Sequence, residues 1–134
     1  MNGWILYKNP IEESWETQKL VEEFEKQDVK IRVVNPNDVD IFVDREDRKS
    51  IIVGGKPRWL PDFVIPRTGS GTTYFIKAII RHLERLGVTL INGSNAIDTV
   101  KDKLYTQQIL AESNLPVPKT LLLKHPINLE WVEK

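Results

Sequence analysis

The chain opens on a short unbroken apolar run, Trp4-Ile5-Leu6-Tyr7, closed by Asn9-Pro10, which is the pattern of a buried strand. Ser14 then stands where a helix N-cap is expected, with Glu16 in the first turn and Leu20, Val21 and Phe24 at helical spacing. That helix should stop near Asp28, after which Val29 to Val34 alternates as a strand does. Strand, helix and strand in so short a stretch make a βαβ unit with parallel pairing. Asp40-Ile41-Phe42-Val43 and Ser50-Ile51-Ile52-Val53 flank the charged segment from Asp44 to Lys49, and a β-hairpin is the simplest reading. Phe63-Val64-Ile65 is a further buried strand, closed by Pro66-Arg67.

A helix follows from Tyr74 to Leu86, with Phe75, Ile76, Ile79, Ile80, Leu83 and Leu86 on one broad apolar face and Gly87 as its stop. Val88 to Ile91 reads as a strand, Asn92-Gly93 as a turn, and Ser94 as the cap of one helix running from about Asn95 to Glu112. Leu115-Pro116-Val117-Pro118 breaks that helix. Thr120 to Leu123 then reads as a last strand, and Ile127 to Lys134 as the start of another helix. The alternation predicts an α/β fold: a Rossmann-like, mostly parallel sheet with helices on both faces, plus a β-hairpin insertion.

Charge and composition narrow the function. Lys+Arg and Asp+Glu number 19 each, so the net charge is zero and no basic stripe exists to draw in a nucleic acid. A small ligand or a protein surface is the expected partner. The 134 residues contain no cysteine, which excludes disulfides, thiolate nucleophiles and Cys-ligated zinc and suits a cytoplasmic setting. No apolar stretch approaches the roughly 20 residues of a membrane span, and the N-terminus lacks the basic-then-apolar pattern of a secretory signal. His82 and His125 form no metal pattern and read as surface residues; Glu12-Glu13 and Glu22-Glu23 read as solvated faces; of the tryptophans only Trp59 looks exposed. Two histidines so placed give no Ser/His/Asp constellation.

Two places could carry chemistry. Arg67 and the segment Gly69-Ser70-Gly71 lie between the carboxyl end of a strand and the start of a helix, the edge on which open α/β sheets bind ligands. Backbone N–H groups there favour an anion, glycine allows close approach, and Arg67 can grip a carboxylate or phosphate in two-pronged fashion. The plainer alternative is a connecting loop whose arginine pairs with a surface carboxylate, and the spacing matches neither G-x-G-x-x-G nor a P-loop. The second place is the helix carrying Lys101 and Lys103, which on spacing alone are two solvated lysines.

The stretch from Leu60 to Thr120 resembles the RimK-type ATP-grasp ligases. Pro61 to Arg67 is similar to that family's strand ending in Pro-Arg. The helix from Tyr74 and the segment Ile91-Asn92-Gly93-Ser94-Asn95-Ala96-Ile97 are similar to the helix and turn that follow it. Asp102-Lys103-Leu104, Thr106, Leu110, Leu115-Pro116-Val117-Pro118 and Thr120 are similar to its D-K-x-x-T/S…L…P-V-P-x-T segment.

The resemblance implies a pre-ATP-grasp domain over residues 1–93 and the beginning of an ATP-grasp domain over 94–134. It implies ATP and magnesium as cofactors of the parent enzyme, with Lys103 contacting nucleotide phosphate. It further implies carboxylate and amine substrates, small molecules or peptides, with Arg67 toward the substrate, beside which the sheet-edge reading sets Gly69 and Gly71; a homo-oligomer is compatible. The family's magnesium cluster and phosphate-covering loop come later in its sequence than anything matched here, so this stretch alone is expected to hold no catalytic residue and to be inactive. A rival expectation is a self-contained, non-catalytic α/β module that binds an anionic ligand or a protein. The ending, with a helix begun and Trp131 unplaced, favours a piece of a longer protein.

Overall fold

A computed structural model describes residues 1–43, 45, 50–127, 130 and 132, and Ser70 by its backbone alone. The chain divides into two compact units, residues 1–98 and 99–134. In the first, β1 (Asn2–Leu6) is central. It pairs in parallel with β2 (Lys30–Val34) on one side and with β6 (Phe63–Pro66) on the other, and β6 pairs in parallel with β7 (Thr89–Leu90), giving the order β2-β1-β6-β7. The insertion between β2 and β6 is a separate antiparallel sheet of β3 (Val39–Ile41), β4 (Ile51–Val53) and β5 (Lys56–Pro57). The expected hairpin is therefore present, extended by a third short strand. All of its expected turn except Arg45 lies outside the described residues.

Side-chain alternation sends each strand's residues to two faces. On one face Gly3 pairs in register with Phe63, whose ring lies 5.4 Å from that of Phe24 on α1 (Trp15–Lys26). On the other, Trp4, Leu6 and Val64 join Ile76, Ile79, Ile80 and Leu83 of α2 (Tyr74–Arg85), with Val39, Ile51 and Val53 of the insertion closing the core. Helices thus cover both faces, as the alternation of elements predicts.

The helix ends follow from local chemistry. The Ser14 hydroxyl accepts from the Thr17 N–H at 3.1 Å, and the Thr73 hydroxyl accepts from the Ile76 N–H at 3.3 Å, each satisfying an orphan donor. Gly87 ends α2 with φ 83°, donating to the Glu84 carbonyl while Val88 donates to that of Leu83, the paired bonds of a Schellman stop.

Five expectations are corrected. The helix expected from Asn95 to Glu112 is two: α3 (Ser94–Lys101) and α4 (Lys103–Glu112). They part because the Asp102 side chain accepts from the Tyr105 N–H at 2.9 Å, so Asp102 starts a new helix instead of continuing the old one. Ser94 is the first residue of α3, not a cap outside it, and its N–H and hydroxyl both donate to Glu84. Thr120 to Leu123 is extended but joins no ladder among the described residues, and a strand without a partner is no strand. His82 is buried at 5% exposure, its Nε2 2.7 Å from the Ser50 hydroxyl, so it ties α2 to the insertion. Trp15, the first residue of α1, is exposed as well as Trp59. Most of the helix start expected at 127–134 lies outside the described residues.

Candidate functional site

The parallel sheet brings the carboxyl ends of β1, β2 and β6 side by side, with Leu6 in register with both Val34 and Pro66. Backbone bonds carry the alignment one residue further. Tyr7 donates to the Val34 carbonyl at 3.0 Å, and Arg67 donates to that of Leu6 at 2.9 Å. Lys8, Asn35 and Arg67 therefore leave the sheet along one edge, where ligands of open α/β sheets bind. Asn35 fixes this edge by donating its amide to the Lys8 carbonyl at 3.0 Å while its side-chain oxygen caps the turn at Asn37.

Residues 69–71 form one 3-10 turn between β6 and α2. The hydroxyls of Thr68 and Thr72, both buried, lie 2.6 Å apart, and that of Thr72 also donates to the Gly69 carbonyl at 2.7 Å. The turn is thus locked from inside. Its two glycines serve different purposes. Gly69 sits at φ 55°, a left-handed conformation with open space where a side chain would be. Gly71 has an ordinary backbone and lies directly under the Lys8 ammonium, the end of a flexible side chain that a methyl group would push aside. Lys8 is a site candidate that the sequence reading missed. The signal was its position just past the first strand, on the same edge as Arg67.

Arg67 projects to the α1 side. It borders a groove of about 300 Å³ lined by Trp15, Glu16, Lys19, Leu20 and Glu23. Its guanidinium makes no hydrogen bond or ion pair within the described residues, and its charge reaches the Glu16 carboxyl on the same groove. The Glu16 carboxyl is held below its ordinary range by a backbone N–H first, then by the Ser14 hydroxyl at 3.2 Å, with a smaller contribution from the positive charge of Arg67. The Arg67 pairing expected of a plain connecting loop is therefore a matter of field, not of a bonded fork.

These features belong to a fold of established type. The family model for the RimK pre-ATP-grasp domain matches residues 1–97. The chain belongs to this family. Among its relatives is a probable alpha-L-glutamate ligase of Legionella pneumophila (strain Corby), 32% identical over 126 residues, covering 94% of this chain and 41% of that protein. A protein of the same description from Marinomonas sp. (strain MWYL1) is 33% identical over 123 residues, covering 91% of this chain and 40% of its own. The chain thus spans about two-fifths of the length of these relatives. The ATP-grasp ligase PsnB, solved in complex with a minimal precursor, superposes with a TM-score of 0.66 at 16% identity, over 90% of this chain and 45% of that one. The same ligase with precursor, Mg and ADP gives 0.63 at 17% identity. At such identities the likeness concerns the fold.

Lys103 belongs to the second unit. It is the first residue of α4, exposed, and directly follows the Asp102 cap. Thr106 donates its hydroxyl to the carbonyls of Asp102 and Thr99, both at 2.9 Å, and so braces the break between α3 and α4. A cation at the positive end of a helix is electrostatically disfavoured, and the adjacent Asp102 carboxylate offsets this only in part. Within this unit Leu104, Gln107, Ala111, Val117 and Pro118 line a groove of about 320 Å³. Among the described residues no group of three or more His, Asp or Glu converges to hold a metal ion. No described helix is long and apolar enough to cross a membrane.

Proposed function

We propose that these residues are the N-terminal portion of an ATP-dependent carboxylate–amine ligase, with a pre-ATP-grasp domain over 1–93 and the start of an ATP-grasp domain over 94–134. The family match over residues 1–97 carries this reading, and the ligase names of the relatives support it. In such an enzyme ATP activates a carboxylate as an acyl phosphate, which an amine then attacks. The roles within this chain are binding and orientation. Arg67, at the sheet edge with its guanidinium unbonded, receives a substrate carboxylate, of a small molecule or a peptide, while the Gly69–Gly71 turn keeps the neighbouring edge low and rigid. Lys103 meets a nucleotide phosphate, whose charge removes the conflict between a lysine and the positive end of α4. Phosphoryl transfer requires a metal and several cations around the moving group, and one lysine does not supply them, so the 134 residues by themselves are inactive.

Calorimetric titration of the 134-residue chain with ATP and magnesium tests this. The expected result is no binding up to millimolar nucleotide. Micromolar binding would mean a self-contained nucleotide site and would overturn the reading. In a longer ligase carrying these residues, Lys103→Ala is expected to raise the ATP requirement by more than about tenfold. An unchanged requirement removes Lys103 from the nucleotide site.

A further inference from the structure

The groove beside Arg67 has a composition that names its ligand more narrowly. Trp15, Lys19 and Glu23 recur every fourth residue of α1 and Glu16 and Leu20 follow the same spacing, so they form one wall about two turns, roughly 12 Å, long. The charges on this wall are almost all committed. Lys19 is paired with Glu22 at 2.5 Å and Glu23 with Lys26 at 2.6 Å. Glu16 is bonded to the Ser14 hydroxyl at 3.2 Å. What remains is the Arg67 guanidinium, with no bonded partner among the described residues. Arg67 lies near Glu16, in the first turn of α1, and the Trp15 indole, 68% exposed, stands at this same end. An unbonded planar cation next to an uncovered aromatic plate is matched by a carboxylate attached to an apolar or aromatic body.

We propose that Trp15 is a specificity-determining residue of the Arg67 subsite, and that the groove takes a carboxylate borne on an apolar or aromatic residue, as in an N-acylated amino acid or the C-terminal residue of a peptide. Arg67 bonds the carboxylate, Trp15 and Leu20 cover the side chain, the ion pairs of Lys19 and Glu23 add no net charge, and Glu16 is the one anion left on the wall. This rests on the reading of Arg67 as a substrate-binding residue.

Solution NMR on the 134-residue chain tests it, following the Trp15 indole N–H, assigned by its loss in Trp15→Phe, and the Arg67 Nε–H, assigned by its loss in Arg67→Gln. N-acetylphenylalanine, its carboxamide and N-acetylalanine are titrated in turn. The acid of phenylalanine is expected to move both signals together. Its carboxamide, lacking the charge, and the Arg67→Gln variant are each expected to bind at least about tenfold more weakly. Trp15→Ala is expected to weaken N-acetylphenylalanine by about fivefold while leaving N-acetylalanine unchanged. If N-acetylalanine and N-acetylphenylalanine move Arg67 equally and Trp15→Ala changes neither, the Trp15 proposal falls and Arg67 keeps its carboxylate. If no acid moves Arg67, both fall.

Discussion

Gly3 lies on the central strand directly beneath the Phe63 ring, and a methyl group there would overlap the ring. The ring is buried and also packs against Phe24, so moving it would disturb a second contact. Gly3→Ala is therefore expected to destabilise the chain by about 1–3 kcal/mol, an overpacking cost, lowering Tm by roughly 4 °C for each kcal/mol. Recovery of much of that loss in Gly3→Ala/Phe63→Leu, followed by thermal unfolding, would identify the ring as the cause. A loss that persists with the smaller partner would point to the backbone instead. Glu16 offers a second residue-scale check. Its carboxyl pKa is lowered in the folded state, so whatever stability it contributes is present above its unfolded pKa and is lost as pH falls through the folded one. Because the Ser14 hydroxyl bonds the Glu16 carboxylate directly while Arg67 acts only through its field, Ser14→Ala should raise the Glu16 pKa more than Arg67→Gln does, read by carboxyl NMR titration. The reverse order would mean that the Arg67 fork closes on Glu16 in solution, which would also remove the open guanidinium on which the proposed subsite depends.

At the scale of elements, the difference between what sequence shows and what it hides has a definite cause. The first strands, α1 and α2 were legible because apolar spacing, a serine cap and a glycine stop all agree there. The break between α3 and α4 was not, because Asp102 is acceptable within an amphipathic helix and only its side-chain bond to the Tyr105 N–H reveals that it caps a new one. Thr120 to Leu123 has strand-like composition, but composition says nothing about whether a pairing edge is near. Lys8 escaped for a similar reason: its role is visible only once β1 and β6 are known to be neighbours, since 63 residues separate it from Gly71 in the sequence. Arg67 and the glycines, by contrast, were legible as a strand-to-helix edge without knowledge of any partner. If Asp102 is a true cap, Asp102→Ala should cost about 1 kcal/mol of α4 stability and leave the amides at the start of that helix less protected. An unbroken helix through residue 102 in the variant, with no loss of protection, would show that the break is imposed from elsewhere.

For the whole molecule, the two units differ in how they are held together. Residues 1–98 contain a core of fully covered side chains, among them Ile5, Leu6, Val64, Ile79, Ile80 and Leu83. Within 99–134 no described residue is buried, while Val100, Tyr105, Leu115, Leu121 and Leu122 are each at least half exposed. Burying a large aliphatic side chain contributes about 1.5–3 kcal/mol, so the first unit holds many such contributions and the second almost none. Its helix α4 is further limited by length, since ten residues are too few for an isolated helix to persist in water. The unit that carries Lys103 should accordingly open far more often than the unit that carries Arg67. Amide hydrogen exchange is expected to protect α2 and β1 at close to the global unfolding free energy, and α4 by at least about 100-fold less. Such a gradient would explain why nucleotide should not bind these 134 residues alone, independently of any missing ligand. Equal protection of α4 and α2 would mean that residues 99–134 are stabilised by contacts beyond their own packing, and weak ATP binding could then no longer be attributed to an unformed site around Lys103.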